Sequence, residues 1–376
     1  MTAEPAASST GPAADEPLSG TLHVHVALDW GDEVDLARAR QLVPGEWLTL
    51  ARRSRTPSSI TYRPTPLRCQ LAPVALELPE LGVVEASADA TVFDFAAVSL
   101  ALHVPFRLRP AEISRLAGEL SAPQSIVAAA AKAADPLNQR LLPAIQQPNW
   151  SELSEEYFVF HFDPDQPGVQ PSRLLGEQSA WAAGLVRLED QPLSTDEVAE
   201  ALRLRISYTP HDIFVPEWSA ALLVDRDCDE TLQTIAFANL QLLEFRHIDN
   251  RLDDRLARAY RFIRPLSNRW LPFWRRPGRQ LRELGELRME AHDVYERTGN
   301  VLKLVGDPYL ARVYHLLTTR FHLQEWRQNI QEALEVAENA YQVISDQSAV
   351  TRTETLEWIV ILLIAFEVAM ALVRPK

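Results

Sequence analysis

Residues 22–28 read LHVHVAL, and this stretch decides the architecture of the amino-terminal half of the chain. A leucine or valine stands at every second position, which is the period of a strand with one buried face. His23 and His25 stand at alternate positions, so they lie together on the opposite face of that strand. Two such histidines could chelate a metal ion, but no third ligand is nearby in the sequence. We therefore predict a half-buried strand, no metal site and no cofactor.

Further strands are predicted by apolar or alternating stretches downstream of this one. The clearest are Val74–Leu78, Val98–Phe106, Tyr157–Phe162 and Ala220–Val224, with another at Leu204–Tyr208. Helices are expected between them, but without the regular strand–helix alternation of a doubly wound sheet. This mixture predicts an α+β body.

Composition and periodicity divide the chain into five segments. Residues 1–20 are rich in Ala, Pro, Ser and Gly and predict a disordered tail. Residues 21–155 and 156–228 predict two α+β subdomains of the body. Residues 229–350 predict a long antiparallel helical hairpin or coiled coil, and residues 354–376 predict a C-terminal hydrophobic helix.

Composition also argues against several classes of function. The formal net charge of −14 disfavours sequence-wide nucleic-acid binding, because a phosphate-binding surface needs a basic face. The two cysteines, Cys69 and Cys228, are far apart and predict neither a disulfide framework nor a zinc knuckle. The sequence contains no P-loop, dinucleotide-binding, nucleophile-elbow or HExxH motif. We accordingly predict no catalytic residue.

The carboxyl-terminal part predicts three helices, from about Glu230 to Phe262, from Gln280 to Leu304 and from Tyr309 to Ile344. The third carries apolar or small residues seven positions apart, which is the a/d seam of a heptad repeat. This seam packs either within the hairpin or against a second copy of the chain. Its residues are Leu316, Leu323, Ile330, Ala337 and Ile344.

Residues 358–373 read WIVILLIAFEVAMALV, an apolar stretch with one internal acid. As a helix it spans about 24 Å, slightly less than the roughly 30 Å of a bilayer core. The acid would face a partner helix, and two alanines four positions apart would permit close approach. A buried core helix is the alternative. We expect a single-pass C-terminal anchor in the cytoplasmic (inner) membrane, with the body on the cytoplasmic side. Its residues are Trp358, Ile361, Leu362, Ala365, Glu367, Ala369 and Leu372.

A basic aromatic loop is predicted between Tyr260 and Arg282, where seven arginines occur without an acid. Three prolines break the helices there. Cations beside aromatic rings suit anionic lipid headgroups. RNA is an alternative ligand, and an ordinary solvated loop is a third interpretation. The residues that define the loop are Arg269, Trp270, Phe273, Trp274, Arg275, Arg276 and Arg279.

Three stretches of the carboxyl-terminal half share the pattern of a known family. They are Ala236–Glu244 (AFANLQLLE), the turn at Asp307-Pro308 and residues 356–368 (LEWIVILLIAFEV), of which the last is the most specific. A weaker match lies upstream at Thr91–Pro105. In these stretches the chain resembles the "required for meiotic nuclear division" family.

The resemblance implies an oligomeric protein, anchored by a C-terminal membrane helix, with no established catalytic activity. Mitochondrial members are associated with mitochondrial translation, which implies RNA or a ribosome as a candidate partner. The acids of the family motif correspond to Glu357 and Glu367. We therefore expect a non-enzymatic membrane-anchored scaffold or tether, a homo-oligomer that contacts membrane lipids and an unidentified protein partner. The alternative is a hydrolase or metal-dependent enzyme with its site in the α+β body, which a bound metal or a pocket of ionisable residues would favour.

Overall fold

Nine strands form one mixed sheet in the computed structural model of the protein. The structure describes residues 16–47, 64–151, 153–263 and 308–336, together with helical residues at 282, 285–286, 289, 339, 357, 360–361 and 363–366. The chain forms two compact units, Met1–Glu244 with Thr298–Gln324, and Phe245–Arg297 with Glu325–Lys376. The sheet belongs to the first unit.

The strands include long central ones and short ones at the edge and in a separate pair. They are β1 (Leu18–Asp29), β2 (Glu33–Val34), β3 (Glu46–Trp47), β4 (Leu67–Gln70), β5 (Val74–Leu78), β6 (Gly82–Val92), β7 (Ala97–Leu108), β8 (Ile145–Gln146), β9 (Ser154–Phe162), β10 (Ile213–Pro216) and β11 (Ala220–Val224). The sheet order is β10-β11-β9-β1-β7-β6-β4-β3, with β5 paired to β6 and β2 paired separately to β8. Neighbours are antiparallel except β9 and β11, which are parallel.

The helices begin at residues suited to the first turn. Pro110 opens one of them, because its fixed φ fits that position. Asp35 and Ser194 cap two others by accepting from backbone N–H groups three residues on. The helices are α1 (Leu36–Leu42), α2 (Pro110–Glu119), α3 (Gln124–Leu141), α4 (Pro171–Leu174), α5 (Ser179–Arg187), α6 (Thr195–Ala201), α7 (Asp229–Ile263) and α8 (Pro308–Arg320).

One face of the sheet forms the main hydrophobic core. Leu22, Val24 and Val26 of β1 are fully buried there, as the alternation predicts. Helix α3 packs on β1 and β7, and α5 packs on β11. Each such leucine or valine contributes about 1.5–3 kcal/mol of burial free energy. This face therefore fixes the register of β1 and the direction of its alternate side chains.

The opposite face, which we call the polar face, carries His23 and His25 and is also buried. His23 is 7% exposed and His25 is 3% exposed. Helix α7 reaches this face, where the Asn239 side-chain amide donates to the backbone oxygen of Glu155 at 3.0 Å. The prediction that this side of β1 is merely the outer side of a half-buried strand is wrong, because the strand is covered on both faces.

The predicted fold class is wrong because it ended in a transmembrane helix. Within the described part of the chain, no helix is long and apolar enough to cross a bilayer. The single-pass membrane anchor and the localisation derived from it are therefore corrected. The apolar stretch is shorter than the roughly 20 residues that a span needs, and it contains an acid. What the structure shows is a mixed α/β architecture around one large sheet.

Many residues of the predicted carboxyl-terminal features lie outside the described residues. Of the anchor, Ile361 and Ala365 are described and are exposed helical residues. Trp358, Leu362, Glu367, Ala369 and Leu372 lie outside the described residues, as do Arg269, Trp270, Phe273, Trp274, Arg275, Arg276 and Arg279 of the basic aromatic loop.

The predicted third helix is interrupted. It starts as α8, but Phe321 and His322 form a turn in which His322 has a φ of 50°, and helix resumes over 323–336. A left-handed residue cannot continue the α-helical hydrogen-bond pattern. The heptad seam is therefore broken between Leu316 and Leu323. The first helix of this region is confirmed, since α7 matches the predicted range to within one residue at each end.

Candidate metal centre

Three histidines from three neighbouring strands meet on the polar face of the sheet. His103 on β7 is the register partner of His23 on β1, and their Nδ1 atoms lie 2.7 Å apart. His161 on β9 pairs with Thr21, one step along β1 on the same face, and its Nδ1 lies 3.3 Å from His23 Nε2. We call His103, His23 and His161 the histidine chain. Strand alternation alone brings them together, because directly paired residues share a face.

Each end of the histidine chain is held by an acceptor. His161 Nε2 donates to the backbone oxygen of Asp225 at 2.8 Å. At the other end, His103 Nε2 lies 3.1 Å from the Asp89 carboxylate. Arg68 donates to both oxygens of that carboxylate at 3.0 Å. A continuous set of polar contacts therefore crosses the sheet from β4 to the loop that follows β11.

Cys228 adds a sulfur atom to this arrangement. It immediately precedes α7, and its Sγ lies 3.7 Å from His161 Nδ1. One donor atom each from His23, His161 and Cys228 lie within 4.8 Å of one another, and no other such group of three occurs among the described residues. We call these three residues the candidate metal centre.

With three neutral rings, the hydrogen-bond acceptors at the two ends leave the histidine chain one proton short. A carbonyl oxygen can only accept, so His161 carries its proton on Nε2 and a neutral ring has a bare Nδ1. The Asp89 carboxylate likewise requires a proton on His103 Nε2 and leaves that Nδ1 bare. His23 stands between two bare nitrogens with one N–H to give.

The shorter contact of His23 favours one position for its single proton. The Nδ1–Nδ1 distance to His103 is 2.7 Å, which fits a hydrogen bond. His23 Nε2 and His161 Nδ1 are then two lone pairs that face each other at 3.3 Å, next to Cys228 Sγ. Facing lone pairs repel unless a proton or a cation lies between them. These two nitrogens therefore need a donor, which either a metal ion or the proton of the Cys228 thiol can supply.

Two of the three distances between the donor atoms match those of a tetrahedral metal site, and all three atoms lie within 4.8 Å of one another. Metal–nitrogen bonds of about 2.0–2.1 Å and a metal–sulfur bond of about 2.3 Å separate two ligand nitrogens by roughly 3.4 Å and a nitrogen from a sulfur by roughly 3.6 Å. The observed distances are 3.3 Å between His23 Nε2 and His161 Nδ1 and 3.7 Å between His161 Nδ1 and Cys228 Sγ. Imidazole and thiolate together suit zinc and copper.

Burial disfavours a proton on both nitrogens of the His23 ring. Burial, followed by the rings of His103, His161 and His25, lowers the pKa of His23 to about 2. Burial would raise the pKa of Asp89, but hydrogen bonds from His103 and Arg68 outweigh it and hold that pKa below its usual value. The acceptor at one end therefore stays a carboxylate while the central imidazole resists protonation. A metal ion at the facing nitrogens is compatible with both conditions.

The thiol and the second histidine of β1 have their own electrostatic environments. Burial, followed by the carboxylates of Asp229 and Asp225, raises the pKa of Cys228 to about 12. Burial, followed by the His103 ring, lowers the pKa of His25 to about 3. Both ring nitrogens of His25 lack a hydrogen-bond partner among the described residues. His25 is close to the histidine chain without belonging to the group of three donors.

A cavity borders the segment that leads into the candidate metal centre. Its volume is about 430 Å³, and its lining includes Asp225, Arg226 and Asp227, which immediately precede Cys228. The lining also includes Tyr208 and Asp212. Open space of this size therefore lies against the same short segment that supplies the sulfur and the backbone acceptor of His161.

The sequence predicted one part of this arrangement and missed the rest. His23 and His25 were placed correctly on one strand face, and the third donor that sequence proximity did not supply comes to His23 from remote parts of the chain. The partners are remote: His161 is 138 residues from His23, and Cys228 a further 67 residues on. Histidines at inward positions of three strands, two in β1 and one each in β7 and β9, were the available signal.

Comparison with known proteins places the chain in a family. A family model described as "Uncharacterized protein MJ0711, N-terminal domain" matches residues 19–230. "Uncharacterized protein MJ0711" of Methanocaldococcus jannaschii is 22% identical over 235 residues, which cover 62% of this chain and 70% of that protein. No solved structure matches. The resemblance to the meiotic nuclear division family is not addressed by these matches and stays a prediction. Since the family model covers more than half of the chain, candidate metal centre included, the protein belongs to the family of the MJ0711 N-terminal domain.

Proposed function

We propose that the protein binds one divalent transition-metal ion, with zinc as the expected ion, through His23 Nε2, His161 Nδ1 and Cys228 Sγ. The observation that carries the proposal is the grouping of three donor atoms, with His23 Nε2 and His161 Nδ1 3.3 Å apart and Cys228 Sγ 3.7 Å from His161 Nδ1. Three protein ligands leave a fourth coordination position for water, as in catalytic rather than structural zinc sites. A metal ion with such a water acts as a Lewis acid in hydrolysis.

Among the two classes considered from the sequence, this proposal favours the metal-dependent hydrolase in the α/β body. The cavity beside Asp225–Asp227 supports it, because a substrate-sized space adjoins the segment that carries a ligand. The scaffold hypothesis rested on the terminal helix and on the basic aromatic loop. Homo-oligomerisation and a role with RNA or a ribosome stay predictions from the sequence.

A zinc titration of metal-free protein tests the proposal. The wild-type chain is expected to bind one equivalent, and Cys228→Ala is expected to weaken binding strongly because the sulfur ligand is lost. Cys69→Ala is the matched control, since Cys69 is the other cysteine and is buried in the core away from the three donors. Absence of saturable binding to the wild-type chain, by zinc and by copper alike, would rule the centre out.

A further inference from the structure

Asp89 and His103, which we call the arm of the histidine chain, contact one ligand of the candidate metal centre and affect how it binds a metal. Asp89 and His103 lie on β6 and β7, and neither is among the three donors. His103 bridges the two sides, with its Nε2 at 3.1 Å from the carboxylate and its Nδ1 at 2.7 Å from His23 Nδ1. The His103 imidazole therefore links the Asp89 carboxylate to His23, a proposed metal ligand. Through this link the carboxylate influences which nitrogen of His23 carries the proton.

The order of protons along this arm follows from the acceptor at its end. The carboxylate fixes the His103 proton on Nε2, so His103 Nδ1 accepts the proton that His23 carries on Nδ1. His23 Nε2 is then bare and available to a metal. In the opposite tautomer, His23 Nε2 carries the proton, which then occupies the position of the ion. Only one of the two tautomers of His23 is compatible with binding.

We propose that Asp89, acting through His103, is a positioning residue that fixes the metal-binding tautomer of His23. This inference rests on the proposed function of the candidate metal centre. Arg68 holds the carboxylate in place through two hydrogen bonds of 3.0 Å. The Asp89 side chain is 13% exposed, so water competes little for its oxygens. Outer partners of this kind orient ligating histidines and change metal affinity when they are removed.

Asp89→Asn is the sharpest variant, because an amide can donate to His103 Nε2 where the carboxylate only accepts. Donation there favours the opposite tautomer along the arm and puts a proton on His23 Nε2. The expected result is a loss of zinc affinity of about 10–100-fold with the stoichiometry still one. Glu85→Gln is the matched control, since Glu85 is an exposed acid on the same face of β6 and undergoes the same chemical change.

Two measurements separate positioning from a merely structural role. Zinc affinity is measured by competition with a chromophoric chelator. The imidazole ¹⁵N shifts of histidine-labelled, metal-free protein report which nitrogen of His23 carries the proton. We expect the proton on Nδ1 in the wild-type chain and in Glu85→Gln, and a shift toward Nε2 in Asp89→Asn. His103→Leu breaks the arm without an amide and provides a second variant if Asp89→Asn does not fold.

The outcomes distinguish this inference from the proposed function. If the wild-type chain binds no metal, the centre itself is refuted and the positioning role falls with it. If the wild-type chain binds zinc but Asp89→Asn and His103→Leu bind within twofold of it, with His23 shifts unchanged, only the positioning role is overturned. If both variants lose affinity and the double variant loses no more than either, the two residues act as one unit, as proposed.

Discussion

His23 Nδ1 lies 2.7 Å from His103 Nδ1 across the β1–β7 pair, in a contact that one proton must bridge. Both residues stand near the centre of long strands, where His23 is buried and the His103 side chain is 26% exposed. The two acceptors at the ends, Asp89 and the backbone of Asp225, then decide where every proton of the chain lies. The predictions concerning metal, pH and thiol chemistry follow from this constraint.

Zinc is expected to stabilise the folded protein through His161. At a free concentration of 100 times the dissociation constant, a ligand that binds only the folded state adds about 2.7 kcal/mol to the free energy of unfolding. Urea unfolding with and without zinc measures this increment. His161→Gln should abolish it, and the control His211→Gln, at the cavity wall, should retain it. An increment that survives in His161→Gln would place the ion elsewhere.

His25 is expected to make the stability of the metal-free protein depend on pH. Its pKa is about 3 in the folded state against 6.5 in a model peptide, so between these values the unfolded chain binds one more proton at this residue. Stability therefore falls as the pH drops from 6.5 toward 3, by about 1.4 kcal/mol per unit in the middle of that range. Urea unfolding at several pH values should show a shallower decline in His25→Leu. Equal slopes would contradict the burial argument.

The thiol of Cys228 is expected to react slowly in metal-free protein. With a pKa of about 12, only about one thiol in 10⁴ is ionised at pH 8, and the thiolate is the reactive form. Alkylation by iodoacetamide in the Cys69→Ala background should be far slower than that of free cysteine. Rapid alkylation at pH 8 would instead support a cysteine nucleophile paired with His161.

A buried ion cluster is expected to hold α8 against the β10–β11 turn. Arg320 Nε lies 2.6 Å from Glu217, whose other oxygen lies 2.8 Å from Arg187, and these Arg320 and Glu217 side chains are 10% and 4% exposed. Arg320→Met should lower the free energy of unfolding by about 3 kcal/mol, because it leaves a buried carboxylate with one partner fewer. Adding Glu217→Gln should restore part of the loss.

The control for that cluster is the same substitution at a surface pair. Arg115 binds Glu80 at 2.6 Å, but its side chain is 54% exposed. Arg115→Met should leave the free energy of unfolding nearly unchanged, since water replaces the lost contact. Urea unfolding of both variants measures the difference. Equal losses at the two sites would show that burial does not set the strength of these pairs.

Sequence periodicity predicted the strands that one hydrophobic face specifies. Val74–Leu78 and Ala220–Val224 match β5 and β11 in full, because alternation or continuous apolarity marks their whole length. Leu204–Tyr208 is not a strand, although Ile206 makes an isolated bridge to Phe214 of β10. The short β10 was missed because its four residues are too few to show a period.

The candidate metal centre was harder to predict because its contacts are between remote strands. Register between β1 and β9 decides that His161 reaches His23, and no local pattern encodes that register. The parallel pairing of β9 with β11 then brings Cys228 near His161. One sheet spans both predicted subdomains, so a prediction that assigned β1 and β9 to separate subdomains could not bring their histidines together.

The long separation in sequence between β1 and β9 also affects the rates of folding and unfolding. Two donors that are 138 residues apart become neighbours only after the central strands have paired. In the earlier stages of chain collapse, the two histidines are therefore not yet positioned to bind an ion together. Zinc should therefore lower the unfolding rate and leave the refolding rate almost unchanged. The ion would then stabilise the folded sheet kinetically.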